Sequence, residues 1–165
     1  MIPIRDMASV DPMNLAATPE ALLRDVLEAS GQRYTEQRAA VYRHLRATKS
    51  HPTADDVFTA VRDDLPDISL ATVYKALETL VGCGLAVKLT YGDGSARYDG
   101  RTDPHPHAHC VSCGAVLDMP GRLDTQTLDG LGTIEGFEVQ GYRVEVVGVC
   151  GDCRGAPAGP RTAPQ

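Results

Sequence analysis

Metal-capable side chains are concentrated in one short stretch of the chain, DPHPHAHCVSCG. Three histidines, His105, His107 and His109, occupy alternate positions there and lead directly into Cys110 and Cys113. The whole chain contains only five histidines and five cysteines. Because imidazole nitrogens and thiolates are both good ligands for transition metals, this stretch predicts metal binding.

Two CxxC pairs, CVSC at 110–113 and CGDC at 150–153, are the more specific signal. Each pair can supply two thiolates, and two pairs complete one tetrahedral zinc site. The long interval between them is tolerable because loop-closure cost grows slowly with length. A redox dithiol or an iron–sulfur cluster is the alternative, although a redox CxxC usually opens a helix and does not occur as a matched pair. We predict a structural zinc held by Cys110, Cys113, Cys150 and Cys153.

A complete four-cysteine site leaves the histidines without a role. On a strand, His105 and His107 face the same way. His51 precedes a predicted helix, Asp99 ends a predicted strand, and Asp118 follows the first CxxC pair. Each of these residues alone is more typical of a cap or a solvated surface. Together, three imidazoles and two carboxylates would form an open site that suits Fe²⁺ or Mn²⁺.

Four amphipathic helices are predicted in the first half of the chain. Their predicted ranges, each opened by a capping Thr or Ser, are 18–31, 35–47, 53–66 and 69–84. Two strands, 85–91 and 95–99, follow on either side of a Gly-Asp-Gly turn. Helices followed by a hairpin predict a winged helix-turn-helix, in which the last helix enters the major groove of DNA.

A local basic excess supports DNA binding in an otherwise acidic chain. The net charge is −6, but between residues 31 and 50 five Arg or Lys stand against one Glu. A solvated helix face, or an α+β core with these side chains on its surface, is the alternative. The predicted DNA-contacting residues come from this region, the last helix and the wing: Arg33, Arg38, Thr72, Tyr74, Lys75, Lys88 and Arg97.

The rest of the chain predicts a smaller α/β unit. It has short strands around 107–110 and 115–118, a helix near 123–131 and a long strand over 137–150. Such a small unit requires a metal or a partner chain for stability. The predicted fold class is α+β, divided into a flexible arm (1–17), a winged-helix domain (18–100), a hinge (101–106), a C-terminal unit (107–155) and a disordered tail (156–165).

Targeting signals are absent from the pattern of the sequence. No run of eighteen apolar residues exists, and the first residues lack the features of a secretory signal. We therefore expect a cytoplasmic protein that does not associate with membranes. In that reducing compartment an odd cysteine count makes a disulfide framework unsuitable, and we interpret Cys83 as a small core residue.

The sequence resembles the ferric uptake regulator (Fur) family over about residues 18–155. The motifs that carry the resemblance are RYTEQR, HPTADDVF, SLATVYKALETL, YGDGSARYD, HPHAHCVSCG and GVCGDC, in that order. Asp99, where iron-uptake regulators typically have Glu, and Asp118 make the sequence most similar to the peroxide-sensing PerR branch.

The resemblance implies a homodimeric repressor whose C-terminal unit dimerises. It implies a structural zinc on the four cysteines and a regulatory Fe²⁺ or Mn²⁺ on His51, Asp99, His105, His107 and Asp118. Peroxide would oxidise His51 or His105 when iron is bound, releasing an AT-rich palindromic operator of peroxide-defence genes. Such a protein acts once per molecule and is not an enzyme.

Three other readings remain open from the residues. A regulator of the same fold could respond to iron or manganese level without histidine oxidation. A small metalloenzyme could use the histidines and carboxylates, although the winged helix argues against it. A thiol switch could release zinc. His109 and the N-terminal arm have no assigned role, and Gly141 and Tyr142 stand where relatives often place a further histidine ligand.

Overall fold

The computed structural model describes residues 18–91, 94–121, 135 and 145–154. The elements in chain order are α1 (Pro19–Ala29), α2 (Glu36–Ala47), α3 (Ala54–Val61), α4 (Leu70–Gly82), β1 (Val87–Leu89), β2 (Arg97–Asp99), β3 (His107–Cys110), β4 (Val116–Asp118), β5 (Val146–Gly148) and α5 (Gly151–Arg154). The predicted helix near 123–131, the first part of the strand predicted over 137–150, the arm and the whole of the predicted tail lie outside the described residues.

Side-chain caps start the four long helices, as predicted. Thr18, Thr35 and Ser69 each accept a hydrogen bond from the backbone N–H three residues on. Thr53 and Asp56 form a reciprocal capping box. Each cap satisfies an amide that the first helical turn leaves without an intrahelical partner. These local signals explain why the helices begin within one residue of the predicted starts.

The core lies among these helices and the first hairpin. Leu23 and Leu27 of α1, Val57 of α3, and Val73 and Leu77 of α4 are fully buried. Their spacing of three or four residues turns one apolar face of each helix inward. Cys83 packs against this core, in agreement with its predicted role. The α+β fold class and the winged-helix arrangement are thereby confirmed.

The wing is a two-stranded sheet that also contacts the loop before α3. β1 pairs with β2 in antiparallel register, with Val87 opposite Asp99. On its other side, β2 pairs with the loop that joins α2 to α3: Arg97 forms a bridge with Thr53, and the Tyr98 amide donates to the Pro52 carbonyl at 2.9 Å. This second pairing places the end of β2 beside His51.

A second, three-stranded sheet has the order β4-β3-β5. β3 and β4 are antiparallel, with His107 directly opposite Asp118. β3 and β5 are parallel, so that Cys110 pairs with Gly148 and the ends of both strands lie at the same edge. Among the described residues, no helix is long and apolar enough to cross a membrane.

Candidate metal centres

Five predicted ligands converge on one point between the wing and the second sheet. Each of them offers a ligand atom, and these atoms lie within 4.8 Å of one another: His51, Asp99, His105, His107 and Asp118. Each histidine Nε2 lies between 2.8 and 3.7 Å from a carboxylate oxygen of Asp99 or Asp118. Adjacent ligands at about 2.1 Å from an octahedral ion are about 3.0 Å apart, so the spacing suits a metal.

Different elements supply these ligands. His51 comes from the loop between α2 and α3, and Asp99 is the last residue of β2. His105 precedes β3, while His107 and Asp118 form a cross-strand pair of β3 and β4. The site therefore joins the helical unit to the second sheet. Occupancy of such a site restricts how the two can move relative to each other.

Backbone carbonyls orient two of the imidazoles. The Nδ1 atom of His51 lies 3.1 Å from the Val116 carbonyl, and that of His105 lies 2.7 Å from the Asp103 carbonyl. Because a carbonyl oxygen only accepts, Nδ1 carries the proton in each ring, and the Nε2 lone pair of the neutral ring points into the cluster. This partner on the far nitrogen is characteristic of metal-bound histidine.

His51 Nε2 supplies a direct test of fit. It is buried, and no partner with hydrogen-bond geometry faces it within the described part of the chain. A buried polar atom without a partner costs free energy unless something satisfies it. Nε2 also lies 2.8 Å from Asp118 Oδ1, as neighbouring ligands of one ion would. The donor set of three imidazoles and two carboxylates fits Fe²⁺ or Mn²⁺.

The carboxylates keep the cluster anionic. Burial raises the pKa of Asp99, but the nearby His51 imidazole and a hydrogen bond from the Arg101 amide outweigh it and lower that pKa to about 2. Burial lowers the pKa of His51, but Asp99 and Asp118 outweigh it and leave that pKa above its usual value. The pKa of His107 is lowered, chiefly by burial. The Asp99 carboxylate is thus ionised and available to balance a divalent cation.

The four cysteines of the two CxxC pairs form a second cluster, as the sequence predicted: Cys110, Cys113, Cys150 and Cys153. The Sγ atoms of Cys113 and Cys150 are 3.7 Å apart, which is close to the separation of about 3.8 Å that a tetrahedral ion with 2.3 Å bonds to sulfur requires. The Cys150 amide lies 3.3 Å from Cys110 Sγ. Backbone amides of Cys150 and Cys113 lower the pKa of the Cys110 thiol to about 6, which favours the thiolate that binds zinc.

His109 does not join either cluster. Its ring stacks on Tyr91 of the wing with centroids 4.9 Å apart, and its Nδ1 lies 3.8 Å from Glu145. It therefore lies between the wing and the second sheet, outside the group of five ligands.

Four of the seven predicted DNA-contacting residues line one cleft of about 630 Å³ between the starts of α2 and α4: Arg33, Arg38, Thr72 and Lys75. Tyr74 is exposed on the same helix. Lys88 is on the wing and pairs with Glu78 at 2.7 Å. Arg97 points elsewhere, since its Nη1 donates to the His51 carbonyl at 3.0 Å.

Sequence reasoning missed the groups that hold the ligands. The carbonyls of Val116 and Asp103 and the amide of Arg101 contact ligands through the backbone, which every residue has. No side-chain type marks such groups in a sequence. The bridge between Thr53 and Arg97 was also missed, because pairing between a loop and a strand has no local pattern.

The chain is similar to known proteins in both sequence and fold. Residues 29–147 match the model of the Ferric uptake regulator family. The peroxide operon regulator of Bacillus subtilis strain 168 is 40% identical over 131 residues, covering 78% of this chain and 89% of that protein. The peroxide stress regulator of Campylobacter jejuni superposes with a TM-score of 0.53 at 26% identity, covering 83% of this chain and 99% of that one.

A third relative shows the fold alone. The Helicobacter pylori regulator Fur, whose structure is described as having three functional metal-binding sites, superposes with a TM-score of 0.66 at 18% identity. The alignment covers 86% of this chain and 97% of that one. The family match over residues 29–147 and the Bacillus subtilis relative show that the chain belongs to the ferric uptake regulator family.

Proposed function

We propose that this protein is a cytoplasmic, metal-dependent transcriptional repressor that senses hydrogen peroxide. The observation that carries the proposal is the convergence of three histidines and two aspartates between the wing and the second sheet. The name of the Bacillus subtilis relative, a peroxide operon regulator at 40% identity, supports the signal. In this account the protein acts as a regulator and not as an enzyme.

The cleft beside α4 is the proposed DNA surface. Arg33, Arg38 and Lys75 line it, and two helix starts meet there. Phosphate oxygens favour both cationic side chains and helix N-termini. Tyr74 on α4 and Lys88 on the wing extend the surface toward the bases and the flanking backbone, and the partner is an AT-rich palindromic duplex.

The second sheet is the proposed dimerisation unit. Zinc on the four cysteines would hold β3 to the segment after β5, because Cys110 ends β3 and Cys150 lies two residues after the end of the parallel strand β5. Leu117, Val147 and Val149 are large apolar side chains that this unit leaves exposed. A homodimer would cover part of this surface and present two copies of α4 to successive half-sites.

Regulatory metal binding would set the orientation of the DNA-binding unit. His51 and Asp99 belong to the helical unit and wing, while His107 and Asp118 belong to the second sheet. A bond from each side to one Fe²⁺ or Mn²⁺ favours the orientation in which both α4 helices match the operator. Loss of one ligand removes that preference.

A cavity beside the ligand cluster would admit peroxide. Its volume is about 300 Å³, and its lining includes His51, Asp99, Asp118, Arg46 and Arg101. Five protein ligands are one fewer than an octahedral ion accepts, which leaves a position for a small molecule. Reduction of hydrogen peroxide is the chemistry that Fe²⁺ supplies in such a site, and Mn²⁺ does not supply it readily.

His51 and His105 are the proposed targets of oxidation. Net transfer of one oxygen atom from hydrogen peroxide into a ring C–H bond gives an oxidised imidazole and water, with both electrons coming from the ring. Each of these rings is held by a carbonyl on Nδ1, so its other side stays at the cluster. An oxidised ring is a poorer ligand, and the bond between the two units is lost.

DNA binding with and without the regulatory metal tests this function. The zinc-loaded protein is titrated against an AT-rich palindromic duplex with Mn²⁺ or with a weak chelator, followed by fluorescence anisotropy. We expect binding with Mn²⁺ and a large loss without it. A small metalloenzyme would show no metal-dependent shift.

Peroxide treatment then separates the sensors. We expect the Fe²⁺-loaded protein, but not the Mn²⁺-loaded one, to lose DNA after a small excess of peroxide. Retention of DNA by the iron form would indicate a metal-level regulator. Loss of DNA with released zinc and disulfides would indicate a thiol switch.

A further inference from the structure

Arg97 lies on the wing but does not extend toward a DNA surface. Its side chain is half-buried, and its Nη1 donates to the backbone carbonyl of His51 at 3.0 Å. The next residue of β2, Tyr98, donates its amide to the carbonyl of Pro52 at 2.9 Å. Arg97 and Tyr98, the two residues before the ligand Asp99, therefore bind the carbonyls of His51 and Pro52.

The conformation of His51 needs such support. Its φ is +50°, and no other non-glycine residue in the described ranges has a positive φ. An L side chain in this region crowds the following carbonyl, so the conformation persists only where its surroundings hold it. The Arg97 guanidinium contacts the carbonyl of the strained residue itself, and on the other face of that residue Val116 holds the imidazole.

Arg97 also lies close to the loop of the first CxxC pair. A Cβ placed on Gly114, the residue after Cys113, would lie 3.9 Å from Nη2 of Arg97. The backbone of Arg97 meanwhile pairs with Leu89 on one side and bridges to Thr53 on the other. One side chain thus extends from the wing, past the His51 backbone, to the loop of the first CxxC pair.

We infer that Arg97 is a positioning residue for the regulatory metal, which it serves by holding the His51 backbone in the left-handed conformation that aims Nε2 at the cluster. The inference rests on the proposed function, because it takes His51 as a ligand. It replaces the predicted contact of Arg97 with the DNA backbone. Loss of the hydrogen bond frees His51 to leave the left-handed region, and Nε2 then turns away from Asp99 and Asp118.

The test measures Mn²⁺ affinity of the zinc-loaded protein by competition with a chromophoric chelator. Arg97→Met removes the donors and keeps much of the packing. We expect its Mn²⁺ affinity to fall about 10- to 100-fold, the usual effect of losing a group that orients a ligand. Arg43→Met is the matched control, since Arg43 is an arginine paired with Glu20 on the surface, and its affinity should equal that of the unchanged protein.

A double-mutant cycle locates the effect. If Arg97 acts through His51, then Arg97→Met should cost nothing further in a His51→Ala background. Equal losses in both backgrounds would overturn the inference. Zinc content and helical circular dichroism check folding; if Arg97→Met fails them, Arg97→Lys, which keeps one donor group, replaces it with a smaller loss expected.

DNA binding at saturating Mn²⁺ tests the alternative role of Arg97, a contact with the DNA backbone. A phosphate contact would lower the slope of log affinity against log salt by about one when removed, with Mn²⁺ affinity unchanged. That result would also overturn the inference. Failure of the proposed function is separate: in that case His51→Ala itself would leave Mn²⁺ affinity unaltered.

Discussion

Two oxygens and three nitrogens within 4.8 Å of one another define the proposed regulatory site at the scale of single residues. Asp118 is the most exposed of the five side chains, at 33%, whereas the side chain of His51 is only 2% exposed. The buried groups are held by the protein, and Asp118 closes the cluster from the solvent side. Each ligand should nevertheless be required for metal binding, because the five side chains are one fewer than an octahedral ion accepts.

Removal of one carboxylate charge tests this requirement. Asp118→Asn should weaken Mn²⁺ binding by more than about 100-fold, since losing a group that only orients a ligand already costs about 10- to 100-fold. Asp103→Asn is the matched control, because Asp103 is a nearby exposed carboxylate paired with Arg101. Chelator competition measures both. Equal affinities in the two variants would contradict the assignment of Asp118.

The raised pKa of His51 predicts how metal binding depends on pH. Without metal, His51 keeps its proton to a higher pH than an ordinary histidine, because Asp99 and Asp118 stabilise the charged ring. Metal must displace that proton. We expect Mn²⁺ affinity to fall as the pH drops through the raised pKa, with protons released on binding in that range and fewer well above it.

Calorimetry in two buffers of different ionisation heat measures this release. The metal-free protein should show the opposite trend in its own stability. The interaction of protonated His51 with the carboxylates stabilises the folded protein fully at a pH below the unfolded-state pKa of His51. This stabilisation is lost as the pH rises through the folded-state pKa of His51. Equal proton release below and above that pKa would contradict the account.

At the scale of elements, the close approach of β2 to α2 positions Asp99. Gly100 follows Asp99, and a Cβ added there would lie 2.5 Å from the Leu45 carbonyl oxygen at the end of α2. The Arg46 side chain also donates to the Gly100 carbonyl at 3.3 Å. Only a residue without a side chain allows the strand to end this close to the helix.

Gly100→Ala should therefore destabilise the protein by about 1–3 kcal/mol, the usual cost of overpacking, and should weaken Mn²⁺ binding by displacing Asp99. Gly82→Ala is the control, because a Cβ there meets nothing within 4 Å and alanine favours a helix. Chemical denaturation of the metal-free proteins measures both. A Gly100→Ala protein as stable as Gly82→Ala would refute the close approach.

Local elements could be predicted from the sequence, but their long-range pairing could not. Thr35 and Ser69 indicate where α2 and α4 begin, and the strand predicted around 107–110 matches His107–Cys110. The ligands His51 and Asp99 were found through their residue types and the family resemblance. Their contact depends on the pairing of a loop with β2, which no local pattern encodes. The hydrogen bond from Arg97 to the His51 carbonyl was missed for the same reason.

At the scale of the whole molecule, the two ligand clusters would have different roles. The cysteine cluster lies at the end of the second sheet, and the histidine cluster joins that sheet to the helical unit. The first would maintain a small unit whose described residues include only two buried hydrophobic side chains, Cys110 and Val116. The second would select one orientation of the DNA-binding units, so its loss should leave folded protein behind.

Removal of each metal should separate these roles. Cys150→Ser, or a strong zinc chelator, should unfold the second sheet and abolish the dimer while α1 to α4 stay helical, because structural zinc contributes folding energy directly. A weak chelator that removes only Mn²⁺ should leave a dimer that no longer binds DNA. Sedimentation and circular dichroism report both. A stable dimer without zinc would contradict the structural role.

The central claim is that the histidine cluster senses peroxide through iron. The most direct measurement loads the zinc-containing dimer with Fe²⁺ or Mn²⁺ without air, adds a small excess of peroxide, and maps peptides by mass spectrometry beside a DNA-binding assay. We predict a gain of one oxygen on the His51 or His105 peptide, with iron only and with loss of DNA. Unmodified histidines with DNA still bound would contradict the claim.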